Sequence, residues 1–173
     1  EPYSLLLALK AEWSDVDICD CLLGDRADAV QFNEHADQSS ILPNSRGEHF
    51  GRVVMKKMAR LDDIIRELNL PHPDYIKLDL QGAELLALDG ATESLRHAAA
   101  VELEVSFLKF ALGAPVIADV FRYMVERNFA CYDILGLWHR ELDGALAQGD
   151  FLFVRADSQL RKDSRWSETS SFI

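Results

Sequence analysis

Ten residues, 75–84, reading YIKLDLQGAE, constrain the fold more than any other stretch of this chain. Tyr75, Ile76, Leu78 and Leu80 give the apolar and β-branched content of a central parallel strand, and Gly82 permits a tight turn. Residues 83–88 then continue at helical spacing. Asp79 falls near the carboxyl end of the strand, the edge where open α/β sheets bind ligands. A charge there must be solvated, paired or used. Taken alone, the D-x-x-G-x-E pattern fits a ligand-facing carboxylate or an ordinary junction in which Asp79 caps the helix.

The rest of the chain alternates strands and helices. Residues 3–13 read as a helix whose stripe of Leu5, Leu6, Leu9 and Trp13 is expected to pack on a sheet. Residues 16–23 alternate in polarity like a strand nearer an edge than the centre. Short strands are expected at 29–33 and 53–57, around a polar loop at 35–50. Leu61, Ile64, Ile65 and Leu68 recur at i, i+3, i+4 and i+7, the strongest helical signal present, and Pro71 and Pro73 end that helix. A strand at 99–105 precedes a helix marked by Ile117, Val120, Phe121 and Met124, opened by Pro115 and closed by Asn128. Residues 130–135 and 151–154 form two last strands with a long, mixed connection between them. This order implies a doubly wound α/β sheet.

Residues 75–84 also resemble the "KIDVEGAE" signature of the FkbM-type S-adenosylmethionine-dependent methyltransferases. Glu1-Pro2 is similar to the family's "FEP", LLGD at 22–25 to its "ALGD", SSIL at 39–42 to its "SSL", and RLDDI at 60–64 to its "TLDDL". VELEVSF at 101–107, followed by Gly113-Ala114-Pro115, resembles its fifth strand and loop; DGALAQ at 143–148 and FLFV at 151–154 resemble its closing strands. The likeness runs in order along nearly the whole chain. It implies a Rossmann-like class I methyltransferase sheet in the order 3-2-1-4-5-7-6, with the last strand antiparallel. The family's glycine-rich first motif is absent and is expected upstream of Glu1, so the sheet reads as N-terminally truncated, without its first strand and most of its second. The chain is then the downstream part of a longer protein: a methyltransferase domain at 1–160 and a polar tail at 161–173 that frays. Without its first strand, the strand at 16–23 is parted from the Tyr75 strand and two edges are left unpaired, so these residues alone are expected to be unstable or to aggregate.

The resemblance implies methyl transfer from S-adenosylmethionine to a hydroxyl of a sugar, glycan or secondary metabolite. The alternative is a non-catalytic binding module of the same descent. A nicotinamide oxidoreductase has the same architecture, but the chain holds no G-x-G-x-x-G. Carried over residue by residue, the cofactor would be bound by Glu1 at the ribose hydroxyls, where an acceptor-only carboxylate matches paired donors. Asp25 would serve on the adenine side, Ser39 and Ser40 would close over the cofactor, and Asp79, Gln81 and Glu84 would sit at the turn. Family members usually carry Glu where this chain has Gln81. Glu84 lies on a first helical turn, where a carboxylate also favours the helix dipole, so a purely structural role is equally open.

The catalytic candidates are Asp79, Glu102 and Glu104. Asp79 could act as general base, if its surroundings raise its pKa, or as an electrostatic partner of the sulfonium. Glu102 and Glu104 project to one strand face. They could bind an acceptor hydroxyl or, with Asp79, a divalent cation; alternatively, one is solvated and the other paired with Arg or Lys. No metal is expected to be required. His139 either reaches the acceptor or is an ordinary surface histidine.

A formal charge of −11 and a pI near 4.8 disfavour a nucleic-acid substrate. No apolar run approaches the roughly 18 residues of a spanning helix, so no membrane partner is expected and the location is read as cytoplasmic. Cys19, Cys21 and Cys131 read as reduced core or half-core thiols without zinc, and Trp13, Trp138 and Trp166 as packing residues. The partner is a small-molecule or glycan acceptor; the oligomeric state stays open.

Overall fold

The structure, a computed structural model, describes residues 2–35 and 38–167. Helix α1 spans Pro2–Glu12, and strands β1, β2 and β3 span Leu22–Leu23, Asp28–Glu34 and Arg52–Ala59. Helix α2 is Leu61–Leu68, strand β4 Tyr75–Leu78, and helices α3 and α4 are Glu84–Asp89 and Thr92–His97. Strand β5 (Ala100–Ser106) and helix α5 (Ile117–Glu126) lead to the closing pair β6 (Phe129–His139) and β7 (Leu146–Arg155).

The strands form two sheets, ordered β1-β3-β2 and β4-β5-β7-β6. In the second, β4 and β5 are parallel, while β7 runs antiparallel to both β5 and β6. That order and the reversed last strand match those expected for strands four to seven. The separation expected between the 16–23 segment and the Tyr75 strand is also present, since β1 and β4 lie in different sheets.

The core fills one face of the four-stranded sheet. Ile76 and Leu78 of β4, Val101 and Leu103 of β5, and Phe151 and Phe153 of β7 pack with Leu88, Leu95, Val120 and Met124 of α3, α4 and α5. Each such side chain contributes about 1.5–3 kcal/mol when fully buried. Strand β4 is therefore half-buried, with Tyr75 and Lys77 exposed on the other face, and not the doubly covered central strand that its composition suggested.

Four more expectations are corrected. Helix α1 forms, but Leu5 (71% exposed), Leu9 and Trp13 (60%) stay exposed and it does not pack on a sheet. Of residues 16–23, only Leu22 and Leu23 pair, with Met58 and Ala59 of β3. The long connection between the last strands is a tight turn at 140–145, fastened by Arg140 Nε on Asp143 Oδ1 (2.7 Å) and by Gly144 at φ +73°. Helix α4 was not anticipated.

The two sheets meet at a seam of close backbone contacts. The Asp62 N–H, at the start of α2, donates to the Gly90 carbonyl beyond α3 (3.1 Å). A Cβ on Gly90 would lie 1.9 Å from the Gly24 carbonyl oxygen, so only glycine fits. The Asp62 carboxylate accepts from the N–H groups of Glu93 (2.8 Å) and Ser94 (2.9 Å) and from Ser94 Oγ (2.7 Å). It caps α4 from α2 and so ties the layers together.

Candidate active site

The chain leaves β4 through a turn that needs left-handed backbone at two positions, Gln81 (φ +51°) and Gly82 (φ +97°). Glycine suits the second on both grounds, because a Cβ there would also lie 2.8 Å from Ala114 Cβ. Glu84 closes the turn from within: its Oε1 accepts from the N–H groups of Leu80 (2.8 Å) and Gly82 (3.1 Å). Only 3% exposed, this carboxyl has its pKa raised chiefly by burial. It faces the backbone of its own turn.

Gln81 is the hub of the site. Its Nε2 donates to Asp79 Oδ1 (2.8 Å) and to Glu104 Oε2 (3.1 Å), so one amide holds two carboxylates. Gln148 Nε2, from β7, donates to the same Glu104 oxygen (2.8 Å). A Glu at position 81 would set a third carboxylate here without a donor, which gives the chain's departure from the family pattern a physical sense.

Glu104 is half-buried, and its pKa is pushed up to about 7. Burial is the main cause; the charges of Asp79, Glu84 and Asp150 add to it, and the Gln148 hydrogen bond works the other way. Glu102, two residues earlier on the same face, meets the opposite fate. Tyr75 Oη and Lys77 Nζ both donate to it, and Lys77 first, then Tyr75, hold its carboxyl below the usual range. Glu102 lines neither of the clefts described next.

Two clefts adjoin at the turn. One, of about 510 Å³, lies between the sheets, with Leu23, Phe32 and Ile65 as apolar wall. Ser39, Ser40, Asp79 and, from the 13–21 segment, Asp17 are among its polar lining. The other, of about 640 Å³, is lined by Gln81, Glu104, Gln148, His139, Trp138 and Phe110. Asp79 and Ser40 belong to both. Buried Ser40 donates from Oγ to the Gln81 carbonyl (3.1 Å), which fixes the 39–42 loop against the turn.

The structure thus brings together Asp79, Gln81, Glu104, Ser39 and Ser40. Asp25 stands apart, paired with Arg26 (3.0 Å) and lining neither cleft. Glu1 lies outside the described residues. Sequence reasoning missed Gln148, whose only signal was its place in the DGALAQ run, and Asn33. Fully buried Asn33 donates to the carbonyls of Ser40 (2.9 Å) and Leu42 (3.0 Å) and so shapes the loop. His139 turns out to line the second cleft. Cys19 and Cys21 line the first, Cys19 exposed and not in a core. The three tryptophans, expected in packing, are exposed, Trp138 on the second cleft. Among the described residues, no helix is long and apolar enough to cross a membrane.

The model of the Methyltransferase FkbM domain family matches residues 17–131, more than half of the chain. Among solved structures, the chain is similar to the crystal structure of Methyltransferase FkbM from Methylobacillus flagellatus KT, with a TM-score of 0.51 and 19% identity. The match covers 86% of this chain and 32% of that one, so the chain spans about a third of that relative's length. At this identity the likeness carries the fold alone. No curated protein matches the chain.

Proposed function

The chain belongs to the FkbM methyltransferase family, and from that premise we propose that it methylates a hydroxyl of a sugar, glycan or secondary metabolite with S-adenosylmethionine as donor. The observation that carries this reading is the meeting of two clefts at one carboxylate, Asp79, on the carboxyl edge of β4. Methyl transfer requires two ligands held end to end, and alignment supplies most of the rate.

The donor set of the first cleft fits the cofactor. Apolar walls suit a flat base, the serine loop offers hydroxyls, and Asp79 offers an anion where a sulfonium would sit. Bound there, S-adenosylmethionine supplies an electrophilic methyl group. Asp79 then favours the positive end of the donor, held in place by Gln81.

In the second cleft, Glu104 takes the proton of the attacking hydroxyl. A carboxylate poised near neutrality is matched to that task, and Gln81 and Gln148 fix its orientation. Trp138 and Phe110, 48% and 43% exposed, offer aromatic surface to the acceptor's apolar face. Glu102 serves the strand and not the reaction, by pairing with Lys77.

A panel of sugars, glycans, phenolic or aliphatic alcohols, amines and carbon nucleophiles, incubated with S-adenosylmethionine and the full-length natural protein, tests this. Mass spectrometry should find one methyl added on oxygen in at least one class. Methylation confined to nitrogen or carbon acceptors would overturn the hydroxyl assignment.

A further inference from the structure

We propose that His72, Glu93 and His97 form a binding site for a divalent first-row transition ion, with Zn2+ as its natural occupant, remote from the clefts. The site lies at the amino ends of β4 and β5, whereas Asp79 and Glu104 line the cleft at the carboxyl edge. It uses none of the residues assigned to methyl transfer, and it stands independently of that assignment.

Glu93 and His97 are four residues apart on α4 and share a face. Glu93 Oε1 lies 3.3 Å from His97 Nε2. The His72 ring lies over that of His97, with centroids 4.2 Å apart and planes 3° from parallel. One ligand atom from each of the three residues falls within 4.8 Å of the others. Bonds of about 2.0–2.1 Å to a tetrahedral ion set ligand atoms roughly 3.3 Å apart, so the Glu93–His97 pair already has the required spacing. The remaining closure needs the imidazoles to rotate out of their stack, and both are exposed.

The surrounding chain holds these side chains in register. Pro71 and Pro73 flank His72 and restrict its backbone. The Asp74 carbonyl accepts from the N–H groups of Ala99 (2.8 Å) and Ala100 (3.2 Å), which fastens the His72 segment to the end of α4. Asp62 caps the other end of α4. Arg96 Nη1 donates to Glu93 Oε2 (2.8 Å) and leaves Oε1 turned toward His97. Outer partners of this kind orient a ligating carboxylate.

Two imidazoles and one carboxylate select borderline ions such as Zn2+ over Mg2+ or Ca2+, which prefer all-oxygen sets. Water would complete the tetrahedron. A bound ion would link the entry to β4 with α4 and stabilise the folded state by mass action.

Free thiols bind zinc non-specifically, so the test uses protein in which Cys19, Cys21 and Cys131 are replaced by Ser. ZnCl2 is titrated calorimetrically into the chelator-stripped protein and into His72→Ala and His97→Ala versions of it. Co2+ serves as a visible-absorption probe of tetrahedral geometry. We expect one equivalent of Zn2+ at micromolar affinity, weakened about ten-fold or more by either substitution, and a Tm raised by Zn2+ only where both histidines remain. Absence of saturable binding, or an affinity unmoved by both substitutions, would overturn the site and leave the stacked rings as a packing contact.

Discussion

Two glutamates on one face of β5 show how neighbours, and not residue type, decide chemistry. Glu102 is held charged by Lys77 and Tyr75, while Glu104, crowded by other carboxylates in a half-buried cleft, titrates at about 7. The folded-state pKa of Glu104 lies above its ordinary 4.5, so the folded protein binds more protons and stability falls as pH rises from about 4.5 to about 7. Glu104→Gln should remove that fall in urea melts across this window and leave the variant more stable than the parent at pH 8. The same substitution should slow methyl transfer about 10²–10⁴-fold, the usual contribution of a general base. A change that stabilises the fold and abolishes turnover marks a residue kept for function; a variant both less stable and fully active would contradict the assignment. The sequence brought Glu102 and Glu104 into view as a pair and left their roles open. Their difference arises from Lys77, Gln81 and Gln148, which reach them across neighbouring strands and turns, and no local pattern reports such contacts.

At the level of elements, the seam between α2 and α4 depends on two residues. Asp62 is held below the usual carboxylate range: burial alone would raise it, but the combined hydrogen bonds from Glu93 and Ser94 outweigh burial. Its stabilisation is present above the unfolded value near 3.9 and is lost as pH falls through the lower folded value. Asp62→Ala should cost about 1–2 kcal/mol at neutral pH in denaturant melts, as loss of a helix cap does. Gly90→Ala should cost about 1–3 kcal/mol, because the new methyl meets the Gly24 carbonyl, a backbone atom that cannot rotate away. Helix α2 was legible because Leu61, Ile64, Ile65 and Leu68 repeat at helical spacing. Helix α4 was not, because of its six residues only Ser94 and Leu95 are buried and no period shows. The opposite error arose at α1, where a genuine apolar stripe predicted packing that the structure does not contain.

Across the whole molecule, the sheet order β4-β5-β7-β6 was legible from the succession of motifs, whereas the one-sided covering of that sheet was not. Alternation in YIKL does separate Tyr75 and Lys77 from Ile76 and Leu78, yet a tyrosine and a lysine stem are apolar enough to pass for buried positions. The exposed leucines of α1 and the exposed Ile134, Leu135, Leu137 and Trp138 of edge strand β6 leave apolar surface in water. The 173 residues alone should therefore bind a hydrophobic dye and form aggregates in light scattering, and a monodisperse, dye-silent sample would count against this. The central claim is tested most directly by calorimetric titration of S-adenosylmethionine into the full-length natural protein, with Asp79→Ala alongside. The account predicts saturable binding that Asp79→Ala weakens; absence of binding, or binding indifferent to Asp79, would contradict it.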